Sequence, residues 1–287
     1  MKLSNSLAVM LAAVFLFAGC TDTVMSPEAS SVTGPSAAVG GGPGAAGGPP
    51  AAVKGNCDVD VPDDYSTIQE AVDQAAAGDR VCVASGTYRE QVIINKDLVL
   101  QGSGSPVIEV PADPASFTIP ESSPTWEPIV FAFGGSAGGG DVTGSGTVDV
   151  SVQGFTVDGR DLQPDASRKV GIFFRNVQSS GGITENTVEG MGVGGKETMG
   201  ILVYGDSEAR IAENTVTEYE RGGIGVNGDN GAHPAPEVTI VANEVTGTGS
   251  SAIGQAWGPN GIQVGFGATG TIRKNIVRDN RYGDSFS

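Results

Sequence analysis

I-T-E-N-T-V (183–188), I-A-E-N-T-V (211–216), I-V-A-N-E-V (240–245) and I-R-K-N-I-V (272–277) are four copies of one pattern, I-x-x-N-x-V. Their asparagines, Asn186, Asn214, Asn243 and Asn275, lie 28, 29 and 32 residues apart. A second pattern, G-I-x-V/F, alternates with the first: V-G-I-F-F (170–174), M-G-I-L-V (199–203), G-G-I-G-V (222–226) and N-G-I-Q-V (260–264). Apolar residues recur every second position, and Gly and β-branched residues dominate, so the elements are short strands and not helices. Two strands in fixed order at a period near 30 residues mark a solenoid. The expected fold class is therefore all-β: a solenoid of roughly seven coils. Its asparagines should be structural. Asn tolerates the left-handed backbone of a sharp corner, and stacked Asn side chains can bond from coil to coil.

Upstream lies P-D-D-Y-S-T-I-Q-E-A-V-D-Q-A-A-A-G-D-R-V-C-V-A-S-G-T-Y-R-E-Q-V-I-I-N-K-D-L-V-L-Q-G (62–102). Ser66 with Gln69 fits a capping box. Ile68, Ala71, Val72 and Ala75 form an apolar stripe, and Gly78 is a natural stop. A short helix over 67–77 is expected, followed by strands near 81–84, 91–94 and 97–101. Such a helix would plug the open end of the first coil.

S-T-I-Q-E-A-V (66–72), A-G-D-R-V-C-V (77–83), G-T-Y-R-E (86–90) and L-V-L-Q-G (98–102) together resemble the opening of the pectin-lyase-like β-helix superfamily. Within it they are similar to pectinesterase-like and periplasmic copper-related members. The resemblance covers about 40 residues and implies a right-handed parallel β-helix, with a site over the outward face of one strand stack. It carries no catalytic residue across. V-D-V-S-V-Q-G (148–154) lacks the esterase pattern and there is no Q-D. The one D-D pair, Asp63–Asp64, precedes the cap, and the one His is followed by Pro. With one His and five Met, the chain also has little soft-metal capacity.

Composition bounds the partners. The net charge is −17, and all of it falls on residues 57–287, where 31 acids face 14 bases. Such a surface repels nucleic acid and anionic membrane. Gly is 45 of 287 residues, which suits many tight turns.

Residues 1–20 carry one Lys, an apolar run from Leu7 to Ala18 and the ending F-A-G-C. The run is short for a membrane span. The ending resembles the lipobox of bacterial lipoproteins, which makes Cys20 the lipidation site. The chain is then exported and anchored to the cell envelope by lipid alone, facing the periplasm or the cell surface. In a Gram-negative source, Thr21 after the Cys favours the outer membrane. Residues 21–56, with 20 of 36 positions Gly, Ala or Pro, read as a disordered tether. Its reach is about 30–35 Å. Cys57 and Cys82 remain as a candidate disulfide in an oxidising compartment, with two free thiols as the alternative.

Strand alternation sends Ile172, Phe174, Ile201 and Val203 inward. It sends Phe173, Arg175, Tyr204, Asn227 and Gln263 outward. Flanking segments of variable length would wall a groove there and add Asp206, Asp229, His233 and Trp257. Aromatic faces, amides and carboxylates are the chemistry that holds sugar rings. Asp158, Asp161 and Asp165 form a candidate Ca²⁺ group, because oxygen ligands at short spacing suit that ion, although the spacing matches no defined calcium loop. The expected function is polysaccharide binding along the outward face of the G-I-x-V strands, with no recognisable catalytic set. The alternatives are a lyase, esterase or hydrolase of acidic polysaccharide, and a purely structural or adhesive surface protein. No capping segment follows the last repeat, so end-to-end self-association or a longer chain is also expected.

Overall fold

The computed structural model of the chain describes residues 56–120, 122–163, 167–192, 198–229, 231, 233–248 and 259–281. They are almost all β, in three sheets of mainly parallel strands, with one short helix. The first sheet runs β1 (Val59–Val61), β2 (Arg80–Val83), β5 (Leu98–Gly102), β11 (Val150–Gln153), β14 (Ile183–Thr184), β17 (Glu208–Ala212), β20 (Glu237–Val241), β23 (Thr269–Arg273). The second runs β3 (Thr87–Arg89), β6 (Val107–Glu109), β12 (Thr156–Asp158), β15 (Thr187–Glu189), β18 (Thr215–Thr217), β21 (Glu244–Thr246), β24 (Ile276–Arg278). The third holds β4 (Val92–Ile94), β8 (Ser122–Phe133), β13 (Arg168–Arg175), β16 (Thr198–Tyr204), β19 (Gly222–Asn227) and β22 (Asn260–Gly265) in parallel. An insertion adds β7 (Phe117–Ile119), β9 (Ser136–Gly138) and β10 (Asp141–Thr143) to that sheet, β7 running antiparallel to β8. From β2 onward the chain visits first, second and third sheet in rotation, an order compatible with a β-helix or solenoid. Among the described residues no helix is long and apolar enough to cross a membrane.

The two sequence patterns are the columns of this stack. Val81, Leu100, Val152, Ile183, Ile211, Ile240 and Ile272 align across the first sheet. Ile108, Val157, Val188, Val216, Val245 and Val277 align across the second. Val92, Val130, Ile172, Ile201, Ile224 and Ile262 align across the third. Most of these side chains are fully buried in one core between the sheets. The Gly of G-I-x-V has a steric cause. A Cβ on Gly171, Gly200, Gly223 or Gly261 would overlap Cγ1 of Val188, Val216, Val245 or Val277. The Val of one pattern thus occupies the space that the Gly of the other leaves open.

The asparagines form a buried ladder. The backbone N–H of Asn186 donates to Asn214 Oδ1 at 3.0 Å, that of Asn214 to Asn243 Oδ1 at 3.0 Å, and that of Asn243 to Asn275 Oδ1 at 2.9 Å. The corner itself belongs to the preceding residue. Glu185, Glu213, Ala242 and Lys274 carry φ between 57° and 59°. This corrects the expectation that Asn takes the left-handed conformation. Its amide is what the corner requires, because the ladder satisfies backbone groups that the turn removes from the sheets.

The helix α1 spans Ile68–Gln74, shorter than the expected 67–77, and Thr67 rather than Ser66 is its N-cap. The Glu90 carboxylate accepts from the N–H groups of Ile68 and Gln69 at 2.9 and 2.7 Å. Gln69 exchanges two hydrogen bonds with the backbone of Ile93. Its buried residues Ile68, Ala71 and Val72 join the main core at the end of the stack. Cys57 and Cys82 are joined in a disulfide, with Cα atoms 5.7 Å apart, fixing the segment that leads into β1 to β2.

Candidate functional site

Outward on the third sheet, one column reads Ile93, Phe131, Phe173, Leu202, Gly225, Gln263. The alternation expected from the sequence holds, but most of this face is covered. Phe117, Ile119 and Val142 of the insertion pack with Trp126, Phe131, Phe133, Val170, Phe173, Met199, Leu202 and Tyr204 into a second core. Phe131 and Phe173 stack with centroids 5.0 Å apart, and Trp126 tilts on Phe173 at 5.2 Å. Phe173 and Arg175 are 0% exposed and Tyr204 is 6% exposed, so none of the three lines an open groove. The physical reason is the insertion, whose apolar residues need a partner face and find it on these strands. Arg175 instead ties the insertion down, donating to the carbonyls of Gly134 at 3.1 Å and Gly144 at 3.3 Å.

The other expected groove residues divide. Asp206 is half-buried and accepts from Gln178 Nε2 at 3.1 Å. Asp229 and His233 form a buried pair through Oδ2 and Nδ1, and His233 Nε2 faces the Gly144 carbonyl at 3.3 Å. They clasp the loop after β19 to the insertion. Asn227 and Gln263 do reach a shared opening, bonded to each other at 2.9 Å. Trp257 lies outside the described residues, as do Cys20 and residues 21–55.

That opening is a cleft of about 150 Å³ where the cover ends. Trp126, Arg168, Met199, Arg221, Gly222, Asn227, Asn260, Gln263 and Phe266 line it. The Arg168 guanidinium lies 5.3 Å from the Trp126 ring centroid, a cation–π arrangement. Asn260 Nδ2 donates to Gln263 Oε1 at 2.7 Å, which extends the Asn227–Gln263 pair into a row of three amides. Phe266, at φ 55° and 62% exposed, stands at the rim. Two guanidiniums line this cleft on a chain of net charge −17. A planar guanidinium suits a carboxylate or sulfate, the amides suit hydroxyls, and the rings offer an apolar face.

Sequence reasoning did not place Arg168, Arg221, Asn260, Met199, Trp126 or Phe266 at the groove. A signal for their location was present. The residue before the Gly of G-I-x-V reads Val170, Met199, Gly222, Asn260, and the x position reads Phe173, Leu202, Gly225, Gln263. Both series pass from apolar to Gly and then to amide, and the change marks where the second core stops. Gly225 also has a packing reason, since a Cβ there would overlap Met199 Cε.

Of the candidate calcium group, Asp158 and Asp161 line one opening with Glu109 and Arg160, and both carboxylates are paired with arginine. Asp158 accepts from the Arg160 backbone N–H at 2.9 Å and pairs with its guanidinium at 2.7 Å. Asp161 pairs with Arg89 at 2.6 Å. Asp165 lies outside the described residues. Arg160 also reaches Glu189 at 2.9 Å, and its proton is held above the ordinary range, first by the charge of Asp158 and then by its bond to Glu189. No family model and no curated protein matches this chain.

Proposed function

We propose that this chain is an exported, lipid-anchored, right-handed parallel β-helix that binds polysaccharide by an anionic residue held in the Arg168–Arg221 cleft. The handedness rests on the general rule that parallel crossovers are right-handed in nearly all cases. The export reading rests on residues 1–20. The observation that carries the binding reading is the cleft lining itself: two guanidiniums, three amides and two aromatic rings where the strand face emerges from its cover. At about 150 Å³ it is smaller than a pocket for a drug-sized ligand, roughly 300 Å³ and upward, so it suits one residue of a chain.

The described lining supplies cations and amides, which bind an anion, and not the pair of facing carboxylates that glycoside hydrolysis uses. The test is binding of the full chain to a panel of uronate, sulfated and neutral oligosaccharides. Binding to acidic members is expected, weakening with salt, with a drop of about tenfold or more for Arg221→Ala. Equal binding to neutral members, or retention of affinity in the Arg168→Ala/Arg221→Ala double variant, contradicts the reading.

A further inference from the structure

A larger opening lies between β6 and β12, each of which has a neighbouring strand on both sides. The segment after β6 and the turn after β12 enclose a cavity of about 310 Å³, with Glu127 of β8 in its lining. Its volume enters the range of small-molecule pockets, roughly 300–1,000 Å³. Backbone bonds fix both walls. The Val110 N–H donates to Asp158 O at 3.3 Å and the Leu162 N–H to Gly159 O at 3.0 Å. Gln91 exchanges hydrogen bonds with the backbone of Ala115 at 2.9 and 3.0 Å. Val110, Pro111, Pro114 and Leu162 supply apolar surface.

The polar part of the lining is almost all acceptor. Glu127 is 6% exposed and accepts from Ser116 Oγ at 2.8 Å and from Lys169 Nζ. An ionised carboxylate has about four lone-pair positions, so about two remain on Glu127. Ser116 has given its one proton to Glu127, and its oxygen is left to accept. Asp161 is held by Arg89 at 2.6 Å. Gln163 Nε2 donates to Asp161 O at 3.0 Å, which leaves Oε1 as an acceptor. Asp113 is exposed.

Such a lining needs a ligand rich in donors, and the structure narrows its class. The carboxylates are too dispersed for one metal ion. Among the described residues the only trio of His, Cys, Asp or Glu close enough is Cys57, Asp60 and Cys82, whose sulfurs are bonded to each other. Glu127 and Asp161 already face Lys169 and Arg89, so a further ammonium gains little from them. An anion meets three carboxylates. A neutral molecule with several hydroxyls and one apolar face fits both kinds of wall.

We propose that this cavity is a second carbohydrate site, for a neutral, hydroxyl-rich sugar residue. Its carboxylates accept from adjacent hydroxyls, and Pro111, Pro114 and Leu162 meet the C–H face of the ring. Lys169 and Arg89 hold two of the acceptors in place before the ligand arrives, which lowers the ordering cost of binding. The site does not depend on the Arg168–Arg221 cleft and selects the opposite kind of residue.

The experiment titrates the full chain with glucose, galactose, mannose, glucuronate and glucosamine and follows amide chemical shifts. A neutral hexose is expected to shift the Asp113, Ser116 and Gln163 amides, and glucuronate is not. Ala112→Phe places a ring in the cavity from an exposed position and should weaken the hexose about tenfold or more. Asp161→Ala should weaken it about tenfold by removing a charged acceptor. Arg221→Ala should leave it unchanged, so failure of the cleft as a binding site leaves this one standing. Absence of hexose-induced shifts at these amides overturns the proposal. So does equal binding of glucuronate there, or unchanged affinity in Ala112→Phe. Glucosamine binding about tenfold or more tighter than every neutral hexose also overturns it, because the cavity is then an ammonium site.

Discussion

Asn214 shows how much one side chain holds in this molecule. It is 1% exposed, its Oδ1 accepts from both the backbone and the side-chain amide of Asn186, and its Nδ2 donates to Ile183 O at 2.9 Å. Asn214→Ala strands at least two buried groups at about 1–3 kcal/mol each. Denaturant unfolding should therefore show a loss of about 2–4 kcal/mol, against little change for Glu213→Gly, which relieves a positive φ. The ladder was legible in the sequence because Asn recurs at a near-constant interval. The division of labour between Asn and the residue before it was not, because Glu, Ala and Lys at the corner share no side-chain chemistry. Tyr219 gives a pH prediction at the same scale. It is fully buried, donates to Asn280 Oδ1 at 2.7 Å, and burial pushes its phenol from 10.0 up to about 12. A folded-state value above the unfolded one means its contribution is complete below pH 10 and is lost as pH rises from there towards 12. Stability curves across that window should fall less steeply for Tyr219→Phe.

Among the elements, the insertion between β6 and β11 changes the molecule most. It converts the outward face of β8, β13 and β16 from a surface into a second core. The repeats could not reveal this, because the insertion lies outside both patterns and a column of Phe131, Phe173 and Leu202 reads equally as an aromatic groove. Strand direction is fixed by local alternation; what covers a face depends on residues distant in sequence. Beneath the insertion, Glu127 of β8 and Lys169 of β13 form a buried ion pair with side chains 7% and 1% exposed, and Ser116 of the insertion donates to the same carboxylate at 2.8 Å. Removing one partner leaves a buried charge uncompensated. Lys169→Met should cost about 3–5 kcal/mol, and Lys169→Met/Glu127→Leu should recover most of it. A double-mutant cycle by thermal or denaturant unfolding measures the difference. Additive losses would mean that the two side chains do not act as a pair. The cap helix was legible in outline from its apolar stripe. Its N-terminal carboxylate, Glu90, was not, since 22 and 21 residues separate it from Ile68 and Gln69, whose N–H groups it caps, and only the returning chain brings it there.

At the scale of the whole molecule, three sheets and their columns follow from two short patterns repeated in order, and a chain of net charge −17 still brings two arginines to one cleft. The cleft lies where Gly222, Gly225 and Gln263 replace the apolar residues of earlier rounds. Neither arginine of the cleft belongs to a repeated pattern, so only the folded stack brings Arg168 and Arg221 together. The most direct test of the account is a structure of the full chain with a uronic-acid oligosaccharide. The account predicts one carboxylate within hydrogen-bond reach of Arg168 and Arg221, with a sugar ring against Phe266. A sugar bound on another face, with the cleft empty, would contradict it.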